Sequence, residues 1–217
     1  MTIMNNELLT KTHPNAIAVL EFWFADAHQP YWFAKNEAFD QLIADQFFAN
    51  WQRAIVGECA HWREDHEATS AIGTTDDTGQ TEPTTNPQGN IAGRLAEIII
   101  LDQFSRNLFR EQPQAFAQDT LALVLAQEAV KHPDYAKLPA SWQPFVIMPF
   151  MHSESTRIHD SGLPYFKSLQ DGRTLEFEYK HREILDRFGR YPHRNTALGR
   201  DSTPEEIEFL QQPGSSF

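Results

Sequence analysis

The sequence IIILDQFSRNLFR, residues 98–110, is too apolar for a surface helix, yet it carries four polar side chains. On an α-helix these side chains fall within one arc of about 140°, and two pairs of them are one turn apart. The four residues are Asp102, Gln103, Arg106 and Asn107. Buried polar groups without hydrogen-bond partners are costly. The stretch therefore predicts a core helix whose polar side meets polar groups from elsewhere in the chain.

Composition and charge restrict the class of protein. The 217 residues are 41% hydrophobic and include 16 Phe and 5 Trp, which predicts one domain over residues 1–217. The net charge of −12 argues against general nucleic-acid binding and against binding to anionic membranes. A single cysteine, Cys59, excludes an internal disulfide. With no signal-peptide or membrane-span pattern, this cysteine usage favours a cytoplasmic protein.

Apolar residues recur at three- and four-residue spacing, and no stretch shows the alternation of a strand. Helices are predicted at about residues 16–24, 36–56, 91–109, 114–131, 141–151, 154–169 and 174–188, and from 204 onward. The predicted N-caps are Asn15, Asn36, Ser153 and Thr203, the last with Glu206 in a capping box. Short connections predict an all-α fold of stacked antiparallel helix pairs, arranged as a tetratricopeptide-like α-α superhelix with degenerate repeats.

Residues 64–90 differ from the rest of the chain in composition. They hold one large aliphatic residue, Ile72, and are rich in Thr, Gly, Asp, Pro and Asn. Such a segment cannot bury enough apolar surface to offset its loss of conformational entropy. We predict a disordered insertion within the helical domain, with a regulatory or binding loop as the alternative.

Three segments are more polar than a scaffold requires: residues 102–107, 152–154 and 181–200. Between Glu178 and Arg200 there are six basic and three acidic residues, a positive excess inside an acidic chain. This field suits a small carboxylate or phosphate, because arginine offers a fork of donors. The candidate catalytic residues are His152, His181, Asp102 and Glu154. The candidate ligand-binding residues are Gln103, Arg106, Asn107, Arg190, His193, Arg194, Asn195 and Arg200.

A purely structural interpretation of the same residues stays open, with Asp102 and Arg106 as a buried ion pair and the amides holding loop backbone in place. A metal site at His152 and Glu154 is disfavoured, because this spacing is common by chance and the chain has no HExxH motif. No Walker or Rossmann glycine pattern is present. We therefore predict neither a metal nor a cofactor. The other histidines, predicted to lie at the surface or in turns, are His13, His28, His61, His66, His132 and His159.

Five motifs carry a resemblance to a known family: VLEFWF (19–24), WFAKNEAFD (32–40), LDQFSRN (101–107), PFMHSE (149–154) and HREILDRFGRYPHRNTALGRDSTPEE (181–206). In these motifs the chain resembles the bacterial family known as domain of unknown function 924, from about Val19 to Phe217. The resemblance implies an all-α fold similar to tetratricopeptide-type superhelices and places the candidate residues at motif positions. It supplies no function. The chain departs from the family at residues 64–90, where members usually have a short link, and at Pro164, where members tend to continue a helix.

The function predicted from these residues is binding of a small anionic metabolite in a polar pocket, with acid–base chemistry as a further step. Arg106, Arg190 and Arg194 would hold the anion, and His152 or His181 would move protons. The alternative is a helical-repeat module that binds a partner protein in a groove without catalysis.

Overall fold

A computed structural model describes residues 6–66 and 89–215, apart from the side chains of Asn6 and Glu7. Within those two ranges all regular structure is helical, which confirms the predicted all-α fold, while the tetratricopeptide-like arrangement stays a prediction. The α-helices are α1 (Asn6–Leu9), α2 (Pro14–Trp23), α3 (Glu37–Ala54), α4 (Ile91–Ile98), α5 (Ser105–Leu108), α6 (Asp119–Ala129), α7 (Gln143–Met151), α8 (Thr156–Ser168), α9 (Gly172–Phe188) and α10 (Pro204–Leu210). None of the described helices has the length and apolar character needed to cross a membrane.

An aromatic core joins the early helices to α7. Trp23 at the end of α2 is fully buried, and its ring meets Phe104 at 5.7 Å and Phe145 of α7 at 5.6 Å between centroids. Every residue of α7 after Gln143 is buried. Burying a large apolar side chain contributes about 1.5–3 kcal/mol. This packing holds the LDQFSRN segment against α7, so that the first two polar segments meet.

The later helices bring the third polar segment to the same place. Each helix from α6 to α9 packs against the next one, and α7 also contacts α9. The segment 152–154 lies in the connection between α7 and α8, while the segment 181–200 begins on α9. Because α7 contacts both the LDQFSRN segment and α9, the residues at its C-terminal end lie near the other two polar segments.

Close backbone packing explains one glycine in α4. A Cβ atom at Gly93 would lie 1.7 Å from the carbonyl oxygen of Trp62. No side chain fits that gap, so glycine alone allows α4 to pack on the 3₁₀ turn Ala60–Arg63.

Two predicted helix caps are confirmed. The Asn36 side chain accepts a hydrogen bond from the backbone N–H of Phe39 at 2.9 Å. Thr203 and Glu206 form the predicted capping box at the start of α10. Both motifs depend only on residues three apart, which is why the sequence predicts them.

The other two predicted caps are wrong. The ring of His13, not Asn15, caps α2 by accepting from the Asn15 backbone N–H at 3.2 Å. The Ser153 hydroxyl accepts from the N–H of Ser155 at 3.3 Å, and α8 begins only at Thr156. A local turn thus takes the Ser153 oxygen before a helix can use it.

A helix boundary differs at one further place, and one helix continues through a glycine and a proline. The helix predicted at residues 114–131 begins at Asp119, because Pro113–Ala115 forms a separate 3₁₀ turn. Gly162 and Pro164, residue types that often break or kink a helix, both lie within the single continuous helix α8. A Cβ at Gly162 would lie 2.9 Å from Phe150, so this glycine serves helix packing.

The predicted disordered insertion at residues 64–90 falls mostly outside the described residues, which omit 67–88. The residues that flank it are in contact. The Asn90 backbone N–H donates to the Arg63 carbonyl at 2.6 Å, and the Asn90 side chain caps α4.

Candidate functional site

Two of the four residues on the polar side of the LDQFSRN segment, Asp102 and Gln103, lie in a π-helical turn. The sequence predicts a plain helix over residues 91–109, but Ile99–Phe104 form a π turn between α4 and α5. Bonds from residue i to i+5 widen such a turn, and π turns are frequent at functional sites. Ser105 ends this turn, with its hydroxyl donating to the Leu101 carbonyl at 2.7 Å and accepting from Trp51 at 2.9 Å. Asp102, inside the turn, is fully buried.

Asp102 is the centre of the site. Its Oδ1 accepts from Nδ1 of His152 at 2.7 Å and lies 3.1 Å from Nη1 of Arg106. Its Oδ2 accepts from Nε2 of Gln103 at 2.6 Å. Burial acts to raise the pKa of Asp102, but the charge of Arg106 and the bond to His152 outweigh it and hold the pKa well below its usual range. The carboxylate is therefore ionised, and both of its oxygens have partners.

The bond to Asp102 determines the protonation of His152. Burial lowers the pKa of His152 below its ordinary value, more than the carboxylate raises it. The ring is therefore neutral at pH 7, and its one hydrogen lies on Nδ1, which faces the carboxylate. Nε2 then carries a lone pair. The His152 side chain is mostly buried, with 13% of its surface exposed.

Two arginines bind the carboxylate of Asp119, next to the Asp102–His152 pair. Asp119, the first residue of α6, lies 3.1 Å from Arg106 at both oxygens, and its Oδ2 accepts from Nη1 of Arg194 at 3.0 Å. The guanidinium of Arg194 lies between the rings of Phe116 and Tyr191, 4.6 and 4.7 Å from their centroids. We call Arg106 and Arg194 the arginine pair. Their stacking and ion pairing fix both guanidiniums in place.

Two further histidines lie beside the Asp102–His152 pair. His181 donates from Nδ1 to the Phe177 carbonyl at 2.8 Å, and its ring centroid is 6.4 Å from that of His152. Burial, reinforced by the neighbouring His152, lowers the pKa of His181 to about 2. His193 stacks on Tyr191 at 5.6 Å, and burial followed by the charge of Arg194 lowers its pKa to about 3. Both rings are neutral at pH 7.

Glu154 is bound by groups of the loop that follows α9. It accepts from both terminal nitrogens of Arg200, at 2.7 and 2.9 Å, and from the backbone N–H of Tyr191 at 2.8 Å. Arg200 also donates to the Tyr191 carbonyl at 3.1 Å. The three residues form a clamp that fixes the loop after α9.

Arg190 and Asn195 contact α10 instead of His152. Arg190 donates to both oxygens of Glu206, at 2.7 and 2.8 Å, and Asn195 donates to one of them at 3.3 Å. The bond from Arg190 lowers the pKa of Glu206 to about 2. These residues attach the last helix to the loop.

Asn107 faces the other side of the LDQFSRN segment. Its amide donates to Asp40 of α3 at 2.8 Å, and Arg110 also donates to Asp40. This contact ties α5 to α3.

The positive excess predicted for residues 178–200 is offset by carboxylates, several of them from outside the segment. These ion pairs join Arg182 to Asp160 and Asp186, Arg187 to Glu205, Arg190 to Glu206, Arg194 to Asp119 and Arg200 to Glu154. The local field is consequently weaker than composition predicts.

The three predicted segments therefore meet, but only part of the predicted set lies together. The residues brought together are Asp102, Gln103, Arg106, His152, His181, His193 and Arg194. Glu154 and Arg200 lie in the adjoining loop clamp, and Asn107, Arg190 and Asn195 make contacts elsewhere. Their functional roles stay predictions.

Sequence reasoning missed three neighbours of the site: Asp119, Phe116 and Met148. Asp119 has only the signature of an acid in the first turn of a helix, which is common without function. Met148, whose sulfur lies 3.6 Å from the Gln103 amide, looks like any other core residue of α7. Only the packing of α6 and α7 reveals these contacts.

The prediction of a surface or turn position for His159 is wrong. The residue is buried, and its ring bonds Glu178 at 2.7 Å and the Ser153 carbonyl at 2.9 Å. The hydroxyl of Tyr191 lies 3.2 Å from this ring and donates to the Met151 carbonyl at 2.6 Å. This second network fastens α8 and α9 beneath the loop that carries Arg194.

Within residues 6–66 and 89–215, no group of three or more His, Cys, Asp or Glu side chains has the arrangement needed to hold a metal ion. A shallow depression lies instead on the outer surface of α9, lined by residues such as Tyr179 and Glu183. It is formed by side chains other than those around Asp102.

Comparison with known proteins agrees with the motif resemblance. The model of a family described as "bacterial protein of unknown function" matches residues 19–214. A solved structure, that of a protein of unknown function from Agrobacterium tumefaciens, is 30% identical with a TM-score of 0.74. The similarity covers 91% of this chain and 97% of that one. No curated protein matches the chain.

Proposed function

Since this chain belongs to the domain of unknown function 924 family, whose description assigns no activity, we propose from its geometry that it performs general-base chemistry on a small anionic molecule. The observation that carries the proposal is the 2.7 Å bond from Nδ1 of His152 to the fully buried carboxylate of Asp102. A neutral imidazole oriented by a buried carboxylate is an arrangement that enzymes use to remove a proton from water or substrate.

Several residues around His152 have a role in this proposal. Asp102 selects the tautomer of His152 and stabilises the imidazolium formed when Nε2 accepts a proton. Gln103 donates a hydrogen bond to the second oxygen of Asp102 and so fixes the orientation of the carboxylate. The arginine pair, Arg106 and Arg194, binds the negative group of the substrate. The clamp of Glu154 and Arg200 holds the loop that carries Arg194.

A direct test is hydrolysis of two chromogenic esters, the anionic 4-nitrophenyl hydrogen succinate and the neutral 4-nitrophenyl acetate. We expect the wild type to prefer the anionic ester. His152→Gln is expected to lower kcat/KM by about 100-fold or more, because general-base catalysis contributes about 10²–10⁴. His61→Gln is the matched control, since His61 is exposed and its ring bonds the local Glu58 carbonyl. A His152→Gln protein with the wild-type rate would exclude the proposal.

The pH dependence of the same reaction tests the protonation state. Because burial lowers the pKa of His152, the base stays unprotonated below its ordinary value of 6.5. The rate should therefore stay level from pH 8 to pH 6.5 and decline only at lower pH. A decline that begins above pH 7 would show that a different group acts as the base.

The alternative, a helical-repeat module that binds a partner protein, does not require the Asp102–His152 pair. In that case His152→Gln and Asp102→Asn would leave partner binding unchanged in any protein that remains folded.

A further inference from the structure

Asp119 lies between Arg106 and Arg194, the two residues proposed to bind the substrate anion. Both oxygens of Asp119 face Arg106, at 3.1 Å each, and one of them also bonds Arg194 at 3.0 Å. Oδ2 accepts hydrogen bonds from both arginines, while Oδ1 is an ion-pair neighbour of Arg106 without a hydrogen-bond partner among the described residues. Both arginines thus bind one carboxylate, as arginine forks bind a free anion. The Asp119 side chain is 16% exposed, so the contact lies at the edge of the site.

The arginines do not need Asp119 to hold their positions. Arg106 also donates to the Asp102 carbonyl at 2.7 Å and pairs with its carboxylate. Arg194 also donates to the His152 carbonyl at 3.0 Å and stacks between two rings. If Asp119 rotates away, both guanidiniums keep their orientation and lose one anion.

Arg194 has unused bonding capacity as well. Its Nε–H is buried and has no acceptor among the residues that the structure describes, although only 6% of the residue is exposed. The Nε–H groups of Arg63, Arg94 and Arg200 likewise have no hydrogen-bond acceptor among the described residues, and each such buried donor costs free energy. A ligand with more than one oxygen could satisfy this donor, whereas Asp119 does not.

The balance of charges in the site favours an anion that replaces Asp119 over one that binds in addition to it. Arg106 and Arg194 are matched by Asp102 and Asp119, and the nearby histidines are neutral. A second anion added to this set would meet net repulsion, while one that replaces Asp119 leaves the balance unchanged. The displaced Asp119 keeps a favourable position, because it is the first residue of the eleven-residue helix α6.

We infer that Asp119 occupies the binding position of a substrate carboxylate and is displaced when a carboxylate-bearing small molecule binds between Arg106 and Arg194. The inference rests on the proposed function, since the same arginine pair is its anion site. A tethered carboxylate competes at an effective concentration of millimolar or more. Asp119 therefore weakens binding and restricts the site to ligands that can replace a carboxylate bound by both arginines.

The test measures succinate and inorganic phosphate binding by calorimetry at pH 7.5. We expect Asp119→Asn to bind succinate at least tenfold more tightly than the wild type does. Glu205→Gln, which removes the same charge from the exposed pair with Arg187, should change the affinity less than twofold. The double variant Asp119→Asn with Arg194→Gln should lose the gain.

Several outcomes would overturn the inference: equal or weaker succinate binding by Asp119→Asn, an equal gain in Glu205→Gln, or no binding by any variant. Tighter binding of phosphate than of succinate would overturn the carboxylate assignment. Asp119→Ser, which keeps an oxygen at the start of α6, provides the same measurement if Asp119→Asn fails to fold by circular dichroism. If Asp119→Asn binds succinate more tightly but His152→Gln hydrolyses the ester at the wild-type rate, only the proposal that His152 is a general base is rejected. Loss of rate in His152→Gln without tightening would reject only this inference.

Discussion

Replacing Asp102 by asparagine is expected to lower the free energy of unfolding by about 3–5 kcal/mol, the usual cost of removing one partner from a buried charged pair. Three donors, from His152, Arg106 and Gln103, converge on its two oxygens. An asparagine offers only one oxygen and turns an NH₂ group toward the remaining donors. Urea unfolding at pH 7.5 measures the change.

The matched control for this experiment is Asp186→Asn. Asp186 also pairs with an arginine four residues away, but 58% of its side-chain surface is exposed. Exposed pairs of this kind contribute about 0.5 kcal/mol or less. A change below 1 kcal/mol in Asp102→Asn would show that the buried carboxylate is not the centre of the network.

Lowering the pH from 7 to 4.5 is expected to destabilise the protein by roughly 3–5 kcal/mol through His181 and His193 alone. Their pKa values in the folded state are lowered to about 2 and about 3, whereas the unfolded chain has the ordinary value near 6.5. Between those values the unfolded state binds protons that the folded state does not. The contribution of the two neutral histidines to the free energy of unfolding is therefore complete above about pH 6.5 and is lost as the pH falls. His193 is the more exposed of the two and contributes less.

Urea unfolding at half-unit pH steps measures this slope. His181→Gln, which can still donate to the Phe177 carbonyl, should reduce the slope by about 1.4 kcal/mol per pH unit. Glu97 acts in the opposite direction, because burial raises its pKa and the folded state gains a proton first as the pH falls. Equal slopes in the wild type and His181→Gln would show that His181 is not held neutral.

Local signals determined much of the fold in advance. The caps at Asn36 and Thr203 use partners three residues away, so sequence spacing is enough to identify them. The all-α class follows from helical periodicity over most of the chain. The π turn carries no such signal, because it depends on how Ser105, Trp51 and the surrounding core pack. The caps at Asn15 and Ser153 failed where a neighbouring group offered the backbone another hydrogen bond.

The LDQFSRN segment shows the same division within the site. Its sequence alone determined that Asp102, Gln103 and Arg106 would be buried polar groups in need of partners, because an apolar helix with a polar arc cannot leave them unpaired. The tertiary structure decided which partners they have. His152 is 50 residues away from Asp102, and Asp119 is 75 residues away from Arg194, separations at which only helix packing determines contact. That packing joins Asp102 to His152, pairs each of the predicted ligand-binding arginines with a carboxylate, and places Asp119 between Arg106 and Arg194.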